Sequence, residues 1–398
     1  MKILFVAPRL PVPADTGGKI RTFNLLKQIA KKAETRLVCF SFEKEDKGLA
    51  NELDKNLGIL TSLIPMLPLG LINNIKNVLA DPLPYSIIKY YSPAMEETLT
   101  SFKAIGTFDA VHIDHLHMGH YIKCLSPLPC ILDEHNVEYR ILERCAKFER
   151  SFFKRCFFSQ QVLKMKTFEA SKIQECSQFC AVSDDDRKDL LTLGQGKAKG
   201  HTIANGVDTE YFHPQAFTSM EEESSLVFTG SMDWLPNEDA VLFFCKDILP
   251  LIWKDKPEVK FYVVGKAPSS AIQELARKDP RIIVTGRVDD VRPIMAKAKV
   301  FVVPMRVGGG TRLKILEAMA MQKAVVSTKV GAEGIQYTEG KNILIGDSPE
   351  AFAKQVIAAL NDSAKTTEIG ILARDLVCRQ YDWNSIGERL WSIYAKFA

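Results

Sequence analysis

The stretch Met305–Ala320, MRVGGGTRLKILEAMA, combines a glycine loop with an apolar helix pattern. It follows the apolar run KVFVVP at Lys299–Pro304, which predicts a buried parallel strand. After Gly308, Gly309 and Gly310, apolar residues recur at three- and four-residue spacing, which indicates a helix. A strand, a glycine loop and a helix in this order direct backbone N–H groups towards an anion. The alternative is a tight turn that leads into a core helix.

Charged residues of the same stretch suit a phosphorylated sugar as the ligand. Arg312 and Lys314 place positive charge beside the start of the predicted helix. The carboxylate of Glu317 accepts hydrogen bonds and can take them from sugar hydroxyls. A phosphate cradle, two cations and a hydroxyl acceptor together indicate a nucleotide diphosphate-sugar.

Length and composition limit the class of protein. A chain of 398 residues predicts two to three domains, and contents of 46% hydrophobic and 25% charged residues are typical of globular proteins. The net charge of +4 argues against a dedicated nucleic-acid binder but allows contact with an anionic membrane. Nine scattered cysteines without a C-x-x-C pair favour reduced thiols. The sequence shows neither a signal-peptide pattern nor a long apolar run, so we expect a cytoplasmic location. If the protein contacts a membrane, we expect the contact at the inner face of the plasma membrane.

Apolar strand patterns alternate with helix patterns along most of the chain. In the second half the strands are predicted at Leu226–Gly230, Lys260–Gly265, Arg281–Gly286, Val300–Pro304, Ala324–Thr328 and Asn342–Ile345. The first half, from a strand at Lys2–Ala7 onwards, alternates less regularly. This pattern predicts an α/β fold with doubly wound parallel sheets, in which ligands bind beyond the carboxyl ends of the strands. The polar, acidic segment Gln215–Ser225 is predicted to be the linker.

Two further segments have more than one interpretation. The loop after the first strand ends in Gly17 and Gly18, which either let the backbone approach a ligand or form an ordinary turn. Between Glu138 and Lys172, phenylalanines mingle with lysines and arginines. This pattern indicates either a helix on an anionic membrane or a basic solvated face over an aromatic core contact.

Four of the seven histidines lie within nine residues, at His112, His115, His117 and His120. A strand pattern would place His115 and His117 on one face and His112 on the other. The segment has neither an H-E-x-x-H motif nor Cys/His zinc spacing. We therefore favour a polar strand end that lines a cleft over a metal site.

The chain resembles the retaining glycosyltransferases of the large group 1 type (family 4), which have the GT-B fold. The resemblance covers nearly the full length, and no single motif carries it. Its motifs are GG at 17–18, DEHN at 133–136, AVS at 181–183, NGVD at 205–208, TGSMDWLPN at 229–237, VVG at 263–265, TGRVDDV at 285–291, GGGTRLKILEAMA at 308–320 and GAEGI at 331–335.

The resemblance implies two Rossmann-like, doubly wound parallel-sheet domains that face a cleft. Residues 1–205 would form the N-terminal, acceptor-binding domain, with the C-terminal helix 380–398 packing back onto it. Residues 206–379 would form the nucleotide-sugar-binding domain.

Catalytic roles carried over from the family fall on His135, Arg312 and Lys314. The two cations would neutralise the leaving diphosphate, where developing charge is stabilised most strongly, and His135 would orient the sugar or the acceptor. In the family's front-face mechanism the leaving phosphate accepts the acceptor's proton, so neither a cofactor nor a catalytic metal is expected. The implied nucleotide-sugar contacts are Gly17, Gly18, Gly230, Ser231, Arg287, Val288, Gly308, Gly309, Gly310, Thr311 and Glu317.

Position 309 departs from the family pattern, and Ser231–Ala240 lacks the Arg and Lys that the family often has there. Glu317 matches the second glutamate of the E-x7-E motif, but Gly309 stands where the first is expected. The contact to the sugar ring must then come from backbone N–H groups of the glycines or from elsewhere. The identity of the donor sugar is therefore open.

The implied function is transfer of a hexose-type sugar from a UDP- or GDP-sugar to a glycan or lipid-linked acceptor in cell-envelope polysaccharide biosynthesis. The alternatives are a GT-B sugar-nucleotide epimerase and a partner-binding protein that kept the fold without activity. An NAD(P) oxidoreductase is disfavoured because no G-x-G-x-x-G follows the first strand of either domain.

Overall fold

The computed structural model describes residues 1–66, 81–106, 108–149, 151–217, 222–307 and 311–397. Its internal contacts divide the chain into one unit of Met1–Ala204 with Ile386–Ala398 and a second unit of Asn205–Ser385. The predicted loop glycines Gly308, Gly309 and Gly310 lie outside the described residues, so their contacts stay predictions.

The first unit is built on a parallel sheet with the strand order β3-β2-β1-β4-β5-β6-β7. Its strands are β1 Lys2–Ala7, β2 Glu34–Ser41, β3 Leu60–Pro65, β4 Ala110–Asp114, β5 Cys130–Glu134, β6 Gln178–Ala181 and β7 Lys199–Thr202. Its helices are α1 Gly17–Ala30, α2 Asp46–Leu57, α3 Tyr85–Ile88, α4 Pro93–Ile105, α5 Ile122–Leu125, α6 Glu138–Phe148, α7 Phe152–Glu175 and α8 Asp184–Leu193. The central strands β4 and β5 are buried along their full length, as expected of strands covered on both faces.

The second unit is built on a parallel sheet with the order β10-β9-β8-β11-β12-β13. Its strands are β8 Glu222–Thr229, β9 Lys260–Val264, β10 Ile282–Gly286, β11 Ala298–Val303, β12 Ala324–Ser327 and β13 Leu344–Ile345. Its helices are α9 Leu235–Phe243, α10 Leu249–Asp255, α11 Ser270–Lys278, α12 Arg292–Lys297, α13 Leu313–Ala320, α14 Pro349–Asn361, α15 Ser363–Gln380 and the start of α16 Trp383–Tyr394. The predicted architecture of two doubly wound parallel sheets is confirmed.

Both strand orders reverse at one point, between β1 and β4 in the first unit and between β8 and β11 in the second. The loops beyond the carboxyl ends of the strands diverge at such a point and leave a crevice for a ligand. In the first unit, Gly18 follows β1 and His115 follows β4. In the second, Gly230 follows β8 and Lys314 follows β11. The topology thus singles out the same loops as the motifs.

The last helix joins the first unit from Ile386 onwards. Ile386, Leu390 and Ile393 are buried, and the buried hydroxyl of Tyr394 lies 2.5 Å from His112 Nδ1. An apolar stripe and a buried polar contact therefore fix this helix in the core of the first unit.

The predicted linker is wrong at its end, because Glu222–Ser225 begin β8. The carboxylate of Glu222 accepts hydrogen bonds from Lys260 Nζ at 2.6 Å and from the hydroxyl of Tyr262 at 2.9 Å. These partners lie on the neighbouring strand and satisfy an acidic residue that looked like part of a loop.

The histidine-rich segment is a strand only up to Asp114. His115 has φ 74° and ψ 140°, and a 3₁₀ helix follows over Leu116–Tyr121. The predicted strand alternation of His115 and His117 is therefore wrong. The reason is that Leu116 and Met118 turn into the core, where both are buried.

The basic and aromatic stretch after Glu138 is divided into the two helices α6 and α7. Within the described part of the chain, no helix combines the length and the apolar character needed to span a bilayer.

Candidate active site

In the second unit, Lys314 lies in the first turn of α13 with its ammonium group directed at the end of β8. Its Nζ donates to Asn237 Oδ1 at 2.9 Å and lies 3.8 Å from the centroid of the Phe228 ring. Asn237 in turn donates through Nδ2 to the carbonyl of Ser231 at 2.8 Å. A hydrogen bond and a cation–π contact therefore position this cation beside Gly230 and Ser231.

The charges of Lys314 and Glu317 are finely balanced. Burial and the nearby Arg312 lower the pKa of Lys314 to about 7, although Glu317 opposes this. Burial raises the pKa of Glu317 to about 7, and Lys314 opposes that shift. An anionic ligand would favour the protonated amine, and hydroxyl donors would favour the ionised carboxylate. The pair is thus suited to a ligand that brings phosphate and hydroxyl groups together.

Two glycines allow the backbone to pack closely beside this cation. A Cβ on Gly230 would lie 2.7 Å from Lys314 Nζ and 2.8 Å from Asn237 Nδ2. A Cβ on Gly265, at φ 153°, would lie 1.8 Å from the carbonyl oxygen of Gly230. A side chain at Gly230 would displace the Lys314 ammonium group and the Asn237 amide, and one at Gly265 would push the ends of β8 and β9 apart.

The other predicted contacts of the second unit that the structure describes lie at the same edge of its sheet. Ser231 follows Gly230, and its hydroxyl donates to Asp233. Arg287 is exposed and Val288 is half-buried directly after β10. Thr311 and Arg312 precede α13, and the hydroxyl of Thr311 lies 2.8 Å from where a Cβ on Gly334 would stand. These residues share the carboxyl edge, but no direct contact among the described residues links Arg287 or Val288 to Lys314.

In the first unit, buried charged residues surround His135. His135 Nε2 lies 2.9 Å from Asp114 Oδ1 and 3.2 Å from Asp133 Oδ2. Arg21 donates through Nε and Nη2 to the two oxygens of Asp133 at 2.9 and 2.6 Å. Thr22 donates to the other oxygen of Asp114 at 2.9 Å. Helix α1 and strands β4 and β5 thus converge on this histidine.

His135 is a cation at neutral pH. Burial alone would lower its pKa, but Asp114 and Asp133 outweigh this and raise the pKa to about 9. Burial would raise the pKa of Asp133, yet Arg21 and His135 hold it well below its usual range. Because a protonated imidazole cannot accept a proton, this geometry supports orientation or charge stabilisation rather than general-base catalysis.

A pocket lies beside His135 at the start of α1. Its lining includes Arg9, Thr16, Gly18, Lys19 and His115. A Cβ on Gly18 would lie 3.7 Å from His115 Nε2 and 3.9 Å from His135 Nδ1. Gly18 therefore keeps the two imidazoles accessible from the helix start, whereas Gly17 is exposed at the first position of α1.

Sequence reasoning missed four residues that hold these sites together: Arg21, Asp114, Asp133 and Asn237. Asp133 and Asn237 lie inside motifs that carried the resemblance, so position within a motif was a usable signal. Arg21 and Asp114 carried no such signal, since their partners lie at distant positions of the chain.

Comparison with known proteins agrees with these observations. Residues 223–362 match the family model described as glycosyl transferases group 1. Over 392 residues the chain is 21% identical to an uncharacterized 44.6 kDa protein in the cps region of Klebsiella pneumoniae, covering 96% of each chain.

Solved structures resemble the whole chain. Anabaena HepE in complex with UDP has a TM-score of 0.70 at 14% identity, with 100% of both chains covered. Sucrose-phosphate synthase from Thermosynechococcus elongatus has a TM-score of 0.73 at 16% identity, with 100% of this chain and 98% of that chain covered. The predicted GT-B fold is thereby confirmed.

The chain has the GT-B fold, and its second unit carries a group 1 glycosyltransferase domain. This confirms the predicted class of enzyme.

Proposed function

We propose that the protein transfers a hexose-type sugar, with retention of configuration, from a UDP- or GDP-sugar to a glycan or lipid-linked acceptor. The observation that carries the proposal is Lys314, positioned by Asn237 and Phe228 beside Gly230 at the β8/β11 reversal point. The relative in a cps region supports a place in envelope polysaccharide assembly. Anabaena HepE in complex with UDP-glucose makes a UDP-sugar the first donor to test.

In this proposal the second unit binds the donor. Arg312 and Lys314 stabilise the charge that develops on the leaving diphosphate, and Glu317 accepts hydrogen bonds from the ribose hydroxyls. Neutralisation by the diphosphate raises the pKa of Lys314 above its ligand-free value. No metal is required for leaving-group stabilisation, because two cationic side chains supply the charge.

The first unit binds the acceptor in this proposal, with His135 beside the reacting groups. Its Nε2 is engaged by Asp114 and Asp133, which leaves Nδ1 to donate towards the pocket at Gly18. We expect His135→Ala to lower transfer while nucleotide affinity stays almost unchanged. Loss of nucleotide affinity in this variant would contradict the assignment of the acceptor to this unit.

The first experiment is a calorimetric titration of the purified protein with UDP, GDP, ADP and NAD in metal-free buffer. We expect tight binding of one diphosphate and its loss in the double variant Arg312→Ala/Lys314→Ala. The matched control is Lys297→Ala, since Lys297 is a half-exposed lysine of the same unit that pairs with Glu222. Binding of NAD alone, or of no nucleotide, would contradict a sugar-nucleotide donor. Release of free nucleotide without an acceptor would instead favour the epimerase.

We also propose that the start of α7 contacts an anionic membrane at the cytoplasmic face. Phe152 and Phe153 are 63% and 84% exposed and are followed by the exposed Lys154 and Arg155. Exposed aromatic and basic side chains together suit a lipid surface.

The double variant Phe152→Ser/Phe153→Ser should sediment less with anionic vesicles than the wild type. The control Ile371→Ser, at a position 50% exposed in the second unit, should sediment like the wild type. Equal sedimentation of both variants would contradict the contact.

A further inference from the structure

Three side chains converge at the carboxyl end of β4, next to His135, whose ring packs against that of His115. His115 and His117 come from the segment after β4, and Glu138 is the first residue of α6. One nitrogen or oxygen atom from each residue lies within 4.8 Å of the other two. The two imidazole rings meet edge to face with their centroids 5.3 Å apart. Two separate elements of the first unit thus bring a pair of imidazoles and a carboxylate to one point.

The backbone of His115 is held in a conformation that side-chain-bearing residues rarely adopt. Its φ is 74°, its N–H donates to the carbonyl of Asp133 at 3.0 Å, and its carbonyl accepts from the N–H of Met118 at 3.0 Å. Strained residues of this kind persist where the surroundings fix them, and they cluster at ligand sites. The buried Nδ1 of His115 has no hydrogen-bond partner within the residues described. A strained histidine with an unsatisfied ring nitrogen is a candidate ligand for a cation.

Charged groups of both signs surround this point. Asp114 and Asp133 face Arg21 and His135, so these four residues balance in pairs. Glu138 adds a further carboxyl group, and its hydrogen-bond partner there is the neutral side chain of Asn136. Arg9 and Lys89 also approach His117, but both are exposed, where water and salt screen their charge. Glu138 is therefore the one anionic ligand that the three residues offer, and the ring of His135 packs against that of His115 with centroids 3.8 Å apart.

We propose that His115, His117 and Glu138 form a binding site for a divalent transition-metal ion, with Zn²⁺ as the preferred ion. Two imidazoles and one carboxylate are a recurrent zinc ligand set that leaves a fourth tetrahedral position open. Zinc bonds to nitrogen and oxygen are about 2 Å long, so the ligand atoms would move closer together through small side-chain rotations. Imidazole and carboxylate together favour zinc over the oxygen-preferring magnesium and calcium.

The ion would connect the segment after β4 with the start of α6. His115 and His117 both line the pocket next to Gly18, so the open position would be reachable by water or by a hydroxyl of a pocket ligand. This site does not serve the leaving group, and the proposal does not depend on the proposed sugar transfer.

The test is a calorimetric titration of the chelator-treated full chain with Zn²⁺. The variants are His117→Asn and Glu138→Gln, which remove a ligand atom while approximately preserving side-chain volume. The matched control is His120→Gln, since His120 belongs to the same histidine-rich segment but contacts the Ile87 carbonyl instead. We expect one ion per chain, affinity at least about tenfold weaker in both variants, and unchanged affinity in the control.

Absence of Zn²⁺ binding, or wild-type affinity in both variants, would overturn the proposal. A second measurement needs no variant and so does not depend on how the variants fold. Titration of the wild-type chain with Co²⁺ should produce the visible bands of a tetrahedral site with nitrogen ligands. A spectrum identical to that of hydrated Co²⁺ would overturn the proposal as well.

Discussion

At the level of single residues, the environment of Lys314 links its position to a catalytic effect. Its ammonium group is held by Asn237 and Phe228 beside Gly230. We expect Lys314→Ala to lower turnover by about 10²-fold or more, because removing one preorganised group that stabilises transition-state charge has effects of this size. Steady-state kinetics with the donor identified by calorimetry measures this. Near-normal turnover would exclude Lys314 from leaving-group stabilisation.

The pKa of His135 makes a prediction about stability. A group whose pKa rises from 6.5 in the unfolded chain to about 9 in the folded one stabilises the fold fully below pH 6.5. This contribution falls as the pH rises towards 9, by up to about 3 kcal/mol. Denaturant unfolding of the wild type and of His135→Gln should therefore give stability curves that converge as the pH rises from about 6 to about 9.5, a range that spans the unfolded and folded pKa values. Parallel curves would show that Asp114 and Asp133 do not hold the proton.

At the level of elements, two glycines provide a matched pair of substitutions. A Cβ on Gly265 would lie 1.8 Å from the backbone oxygen of Gly230, whereas one on Gly48, in α2, would meet no atom within 4 Å. Gly265→Ala should lower the free energy of unfolding by about 2 kcal/mol or more through overpacking. Gly48→Ala should raise it by about 0.5–1 kcal/mol, since alanine favours a helix. Equal effects in urea denaturation would mean that β8 and β9 tolerate separation at this point.

The elements also show where sequence patterns predict structure well. Lys2–Ala7 was predicted correctly as a strand, because an apolar run is a local signal. The segment after Asp114 was not, because the buried Leu116 and Met118 impose a 3₁₀ turn through contacts with the core. Glu222–Ser225 looked like a linker because the partners of Glu222 lie on β9, far along the chain.

At the level of the whole molecule, each unit has its own sheet and core, so we expect two calorimetric unfolding transitions. Tyr394→Phe removes the hydroxyl that contacts the buried Nδ1 of His112. This should lower the transition of the first unit at a cost of about 1–3 kcal/mol. UDP should raise the other transition, if the second unit binds the donor. If UDP instead raised the transition of the first unit, which Tyr394→Phe identifies, the nucleotide would bind to the first unit.

The sequence by itself determined the fold class, the order of the motifs and the loops that carry the candidate sites. These features depend on the alternation of apolar strands and helices and on short contiguous motifs, which are visible one segment at a time. Lys314 and Glu317 became candidates through the same local signals, and His135 became one through the resemblance to the family.

Only the tertiary structure decided what surrounds these residues. Asp133 meets Arg21 across 112 positions of the chain, and Lys314 meets Asn237 across 77. The protonated state of His135 and the convergence of His115, His117 and Glu138 likewise depend on neighbouring strands and helices meeting at one sheet edge. Such contacts join positions that are distant in sequence, and burial sets their charges, so no local pattern records them.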